Sequence, residues 1–170
     1  MARRRWVRPT PYHFVSTWTV PAPPGTVYRA LRDVAGYERW WPQIRASDRV
    51  DPTSVRVRCR SFLPINLDFV VTESVVDPDH GFLEGTLHGH LDGWSRWEIG
   101  GSGRDTTVRF EERVVTTRLV MNLLTPVARL LFRLNHERMM RDGERGLRTH
   151  VAPDPATAVM LPPSAALPEP

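Results

Sequence analysis

Thr125–His150 reads TPVARLLFRLNHERMMRDGERGLRTH, and the reading of this stretch decides the fold. Thr125 supplies a hydroxyl N-cap and Pro126 an N1 residue whose missing N–H is no loss. Pro153 closes the far end by pushing Ala152 out of helical dihedrals. The span between them is about 24 residues, or roughly 36 Å of helix at ~1.5 Å per residue. Leu124, Ala128, Leu131, Asn135, Met139, Asp142 and Gly146 recur at steps of three and four, which keeps them on one slowly drifting face. That face begins apolar, becomes mixed, and carries Gly146 where a neighbour must pack close. His136 falls roughly opposite its apolar centre. A long amphipathic helix after many strands needs a sheet to cover it.

Upstream of the helix the pattern has a period of two. Val55, Val57 and Cys59 alternate with Arg56, Arg58 and Arg60, an inside/outside pattern. Leu67, Phe69 and Val71 alternate in the following run. A hairpin centred on Pro64 sets Cys59 opposite Phe69 and Arg60 opposite Asp68. Asp77–Gly81 (DPDHG) is a turn, and Phe82–His88 is a strand whose two faces are too evenly matched to assign. Gly93–Ile99 and Thr106–Val115 flank GGSGRD as a second hairpin. With Trp97 opposite Val108, Ser95 faces Phe110 and Ile99 faces Thr106. This leaves Arg109, Glu111 and Arg113 outside and places Glu112 inside, between Phe110 and Val114.

Before these strands, Tyr12–Val20 puts Tyr12, Phe14, Trp18 and Val20 on one face of a strand that PAPPG ends. Thr26–Val34 has helical spacing through Val27, Leu31 and Val34, with Gly36 as its stop. GYERWWPQI follows as a short turn-and-helix rich in aromatics and cut off by Pro42. Together these elements predict an α+β chain. A curved antiparallel sheet of about seven strands wraps round the long C-terminal helix, with two short helices after the first strand. The domain is expected over 12–151, with 1–11 and 152–170 as disordered tails.

Composition narrows the function classes. A chain of 170 residues, 41% hydrophobic and 25% charged, is ordinary for one globular core. Every one of its 23 basic residues is arginine, which lifts the pI to 10.1 because arginine keeps its proton to very high pH. These arginines are interspersed with acids rather than clustered, which argues against nucleic acid as a partner. Cys59 is alone, so there is no disulfide framework or thiolate metal cluster. No apolar run approaches the ~20 residues of a membrane span. MARRRWVRP lacks the apolar region of a secretion signal, so a cytoplasmic location is expected. Arg3, Arg4, Arg5 and Trp6 could touch an anionic membrane surface peripherally, against the plainer reading of a solvated tail. Oligomeric state is not readable.

Three stretches carry a resemblance to a known family. They are VPAPPGTVYRALRDVAGYERWWPQI (Val20–Ile44), GWSRWEIGGSGRDTTVRFEERV (Gly93–Val114) and NHERMMRDGERGL (Asn135–Leu147). In these the chain resembles the START-like, helix-grip (SRPBCC) superfamily, and within it the polyketide cyclase/dehydrase-type branch. The resemblance implies a hydrophobic cavity between sheet and helix, taking lipids, polyketides or other apolar small molecules. Some members are cyclases or aromatases and others are carriers.

On this reading the aromatic turn contributes Trp41 to a ligand-binding cavity, the strands contribute Phe69, Val71, Trp97 and Phe110, and the helix contributes Leu131, Asn135 and Met139. A working pocket of this kind occupies at least ~300 Å³. Glu112 is the candidate catalytic residue. A carboxylate on an inner strand face can act as a general base or bind a ligand hydroxyl. The plainer alternative is a structural ion pair, most simply with Arg138. Asn135 could reach a ligand from the cavity roof, whereas Asp142 is expected to pair with Arg138 one turn back. His88 and His90 have no carboxylate or cysteine at ligand spacing, so no metal is expected. No nucleophile elbow or phosphate-binding glycine loop is present, and no cofactor is implied. The leading function is therefore binding of a hydrophobic small molecule. The alternative is a polyketide cyclase, aromatase or dehydratase in the same cavity, with Glu112 as base and Asn135 and Trp97 positioning the substrate. A protein-docking role through Trp94 and Arg96 is the third.

Overall fold

The computed structural model describes residues 11–60, 66–116 and 126–153. Most of both expected tails, Pro64, Thr125, Leu124 and the side chain of Ala128 lie outside the described residues. Strand β1 (Tyr12–Val20) leads into helix α1 (Pro24–Arg32) and a 3₁₀ turn (Val34–Arg39). Then come β2 (Ile44–Arg49), β3 (Ser54–Arg60), β4 (Asn66–Asp77), β5 (Phe82–Gly89), β6 (Leu91–Ser102) and β7 (Asp105–Thr116), followed by α2 (Pro126–His150). The seven strands form one sheet in the order β1-β7-β6-β5-β4-β3-β2. Every neighbouring pair is antiparallel. The sheet and α2 have the helix-grip arrangement expected from the sequence.

Side-chain faces follow the alternation closely. Tyr12, Phe14, Trp18 and Val20 are buried on β1, as are Val55, Val57 and Cys59 on β3. On β5 the inward set is Leu83, Gly85 and Leu87, fixed by the pairing of Leu83 with Trp97. Both hairpin registers, however, differ from expectation by two residues. Cys59 faces Leu67, and Arg58, not Arg60, faces Asp68. Trp97 faces Phe110, Ile99 faces Val108 and Ser95 faces Glu112. In the second hairpin the cause is local. The strands continue through Gly100–Ser102 to a tight turn, with Gly103 at φ +66°, the position where a type II′ turn requires glycine. A shift of two residues preserves parity, so every side chain stays on its predicted face.

The 24–39 segment breaks earlier than Gly36. Helix α1 ends at Arg32, and Tyr37 ties the 3₁₀ turn back by donating its hydroxyl to the Leu31 carbonyl at 2.5 Å. Helix α2 is rotated by about one residue from its expected seat. Its buried stripe is Phe132, His136, Met140, Gly143 and Leu147. Asn135, Met139, Asp142 and Gly146 flank it, and Leu131 is 47% exposed. Both stripes satisfy the same three-and-four spacing, so periodicity alone does not choose between them. The choice is made by fit against the 40–43 turn. Trp41 Nε1 donates to the Met139 carbonyl at 3.1 Å, and Gln43 Nε2 donates to Asp142 at 2.6 Å. At the same end Arg148 Nε donates to the Thr19 carbonyl at 2.6 Å. The C-terminal half of α2 is thereby clamped to β1 and the aromatic turn, while Phe132 and His136 in its earlier half pack on Tyr12 and Phe14 of β1 and on Phe110 of β7.

Candidate functional site

One row of inward positions crosses the sheet from strand to strand. Phe14 pairs with Glu112, Glu112 with Ser95, Ser95 with Gly85, and Gly85 with Glu73. The row beside it contains Leu83, Trp97 and Phe110, and the row on its other side contains Leu87 and Val114. Gly85 and Ser95 are thus two small residues set side by side among large ones. Helix α2 bridges above them through Phe132, His136 and Met140. The gap left between is a cavity of about 140 Å³.

That volume is under half the ~300 Å³ expected of such a pocket. Bulky aromatics account for the difference. Trp41, Trp97 and Phe110 all reach into the space from the walls, with Trp97 and Phe110 only 4.5 Å apart between ring centroids. Of the predicted lining, Trp41, Phe69, Val71, Trp97, Phe110, Asn135 and Met139 do border the cavity, and so does Glu112. Leu131 does not. The one-residue rotation of α2 turns it to solvent and substitutes Phe132, which packs on Tyr12 and Phe14.

Glu112 is buried in the cavity wall, and its partner is His136 rather than Arg138. Arg138 lies instead on the outer side of α2, with its side chain 65% exposed and 4.0 Å from Asp142. Asp142 also meets Arg145 and Gln43. Burial works to raise the Asp142 carboxyl, but these donors outweigh it and hold the group below its usual range. His136 Nε2 is 3.2 Å from Glu112 Oε2. The ring N–H is not aimed at the carboxylate, however, and the buried nitrogen has no hydrogen-bond partner. The imidazole is stacked on Phe14 at 3.8 Å between centroids and 11° between planes. The pair is therefore close, buried and incompletely satisfied.

Cys59 borders the same cavity. Its thiol is pushed up to about 12, first by burial and then by the Glu112 charge, so it is no nucleophile at neutral pH. Burial raises the Tyr37 phenol strongly, and the neighbouring Trp97 indole works against that rise without cancelling it. At the far end of the row Arg32 sits 3.9 Å from Glu73, both partly exposed. Three strand spacings separate Glu73 from Glu112, or about 14 Å at ~4.8 Å each. His88 pairs with Asp92, and His90 Nδ1 accepts from the Asp68 amide. No group of three or more metal-ligating side chains occurs among the described residues.

Residues 11–152 match the family described as polyketide cyclase/dehydrase and lipid transport. The chain belongs to this family. Among solved structures it is similar to the Zhui aromatase/cyclase from Streptomyces sp. R1128, at 19% identity and a TM-score of 0.71 over 84% of this chain and 94% of that one. A START superfamily protein from Mycobacterium smegmatis matches at 17% identity and a TM-score of 0.64, over 82% and 96% of the two chains. The di-domain ARO/CYC BexL of the BE-7585A biosynthetic pathway matches at 19% identity and 0.65, over 85% of this chain and 51% of that one. At these identities the likeness is one of fold. No curated protein sequence matches the chain. No helix among the described residues is long and apolar enough to cross a membrane.

Four residues of the site escaped the sequence reading: His136, Phe132, Gly85 and Ser95. Ser95 was within reach, since the true register of one hairpin sets it against Glu112. His136 was hidden by the leucines at 130, 131 and 134, which suggest an apolar face on the side that is in fact exposed.

Proposed function

We propose that the chain binds a compact, largely apolar small molecule between the sheet and α2. The supporting observation is the gap over Gly85 and Ser95, walled by aromatics and ended by a buried, incompletely satisfied polar pair. Gly85 and Ser95 hold room open where two larger side chains would close it. An engineered apolar cavity of about 150 Å³ takes benzene, so the resting chamber suits a single ring. A lipid or polyketide chain requires the earlier half of α2 to move outward. Native mass spectrometry of the purified protein, and NMR titration with single-ring aromatics, test the reading. Shifts at the Trp97 indole are the expected result, and no perturbation at any cavity residue rejects it.

A second reading is enzymatic, and the closeness of Glu112 to His136 favours it. In a cyclase, aromatase or dehydratase Glu112 would take a proton from the substrate, with Asn135 and Trp97 positioning it. Glu112→Gln would then abolish turnover and leave ligand affinity within a few-fold. Unchanged turnover in that variant removes the assignment.

A further inference from the structure

We propose that the outward face of α2 docks on an anionic lipid bilayer, its leucines entering the headgroup boundary and its arginines resting on the phosphates. Leu130, Leu131 and Leu134 are 56%, 47% and 49% exposed. They stand on the side of α2 turned away from its buried stripe of Phe132, His136 and Met140. Three of the six large apolar side chains exposed among the described residues thus fall within little more than one turn of one helix. Exposed apolar residues scattered singly are ordinary, whereas a cluster marks an interaction surface.

The charge on the same helix selects the partner. Arg138, Arg141 and Arg145 continue the leucine face toward the C-terminus, at steps of four, three and four from Leu134. All three are exposed, as are Arg133 and Arg148, against Glu137 as the exposed acid of that stretch. Asp142 and Glu144 are half-buried and already matched by Arg145 and Arg148. Arg133 and Arg141 form no ion pair among the described residues. A face that is leucine along its first half and arginine along its second has the pattern of a helix lying in a bilayer interface. Anionic headgroups attract such arginines, whose stems lie along the apolar boundary. Nucleic acid would engage the arginines but has no place for the leucines. A second copy of the chain would engage the leucines, yet they fall far short of the ~800 Å² per partner of a stable interface. Either orientation of two such faces also sets arginine against leucine or against arginine. The surface is independent of the cavity's occupant, since Phe132 and His136 border the cavity from the other side of the helix.

The test is co-sedimentation of the full chain with vesicles of phosphatidylcholine alone, and of phosphatidylcholine with phosphatidylserine at about two to one. The wild type should bind the mixed vesicles about tenfold or more tighter than the neutral ones, and should let go as added salt screens the phosphates. Leu130→Ser/Leu131→Ser/Leu134→Ser should weaken binding to the mixed vesicles by about tenfold or more. Arg133→Gln/Arg141→Gln should weaken it by roughly fivefold for each arginine lost. These positions are exposed, so both variants should melt within a few degrees of the wild type. A wild type that ignores the mixed vesicles, or binds neutral ones as tightly, overturns the proposal. So does either variant binding as the wild type does, because the contact then lies elsewhere in the chain. A wild-type dimer in sedimentation velocity that the leucine variant abolishes, with no vesicle binding, makes the face a contact between copies and overturns it too. Hydrogen exchange of the wild type on mixed vesicles locates the contact even if a variant does not fold. Slowing over 130–145 is expected, and slowing only elsewhere rejects the assignment.

Discussion

Gly143 lies so close under the Trp41 indole that a Cβ on it would come within 2.6 Å of Trp41 Cε2. One turn on, a Cβ at Gly146 would run into the Trp40 carbonyl oxygen. These two glycines let α2 descend onto the aromatic turn, and that descent sets the height of the cavity roof. Alanine in a helix is favoured over glycine by ~1 kcal/mol, whereas overpacking costs ~1–3 kcal/mol. Gly146→Ala should therefore be net destabilising and worse than Gly143→Ala. The backbone at Trp40 cannot rotate aside, whereas an indole can shift. Thermal melts of the two variants check the order, and a Gly146→Ala protein more stable than wild type contradicts the packing described.

Filling the floor of the cavity separates binding from folding. Ser95 is half-buried, with Gly85 on one side and Glu112 on the other. Leucine at 95 occupies space that is empty, so it adds buried apolar area without displacing a neighbour. Ser95→Leu should keep its melting temperature within a few degrees of wild type and lose more than tenfold in affinity for single-ring probes. A variant that binds as well as wild type places the guest elsewhere.

The parts legible in the sequence are those governed by parity. Val55, Val57 and Cys59 face inward, and so does Glu112, because alternation survives any even slip of register. Register itself depends on turn geometry, and the second hairpin shows how. Gly100–Ser102 reads as loop by composition, yet it pairs, because glycines tolerate an extended ladder once Gly103 takes the turn. The site proper lay beyond the pattern for the same reason. A void above Gly85 and Ser95 is a relation between neighbouring strands, visible only when Ser95 is known to face Glu112. For α2, two stripes one residue apart fit the spacing equally. Gly146 correctly signals close packing, but it lies on the flank rather than the centre of the buried face.

On the outer face, Glu111 accepts from Arg96 at 2.7 Å and from His13 at 2.9 Å, with Arg109 at 2.8 Å. Hydrogen bonds from Arg96, then His13, lower its carboxyl from 4.5 to about 2. A carboxylate with a depressed folded-state pKa contributes stability that is whole above its unfolded value and is lost as pH falls through the folded one. Glu111→Gln should therefore destabilise at pH 7, and its gap to wild type should narrow between pH 4.5 and 2. Denaturant melts at pH 6, 4 and 3 measure this. A gap of constant size across the series means the network does not act through the Glu111 charge.

Cys59 offers a reporter on the closed chamber. Burial, then the Glu112 charge, pushes its thiol up to about 12, which leaves ~1,000-fold less thiolate at pH 8 than an ordinary cysteine has. Burial at 5% exposure blocks access as well. Iodoacetamide should label the native protein at least ~1,000-fold more slowly than the urea-unfolded chain. Labelling that does occur must pass through an opening of the region between β3 and α2. A guest seated in the cavity should slow that labelling further, because it binds the closed form and not the open one. Labelling at the unfolded rate would mean that the inner face of β3 is open to solvent and that the helix does not cover it.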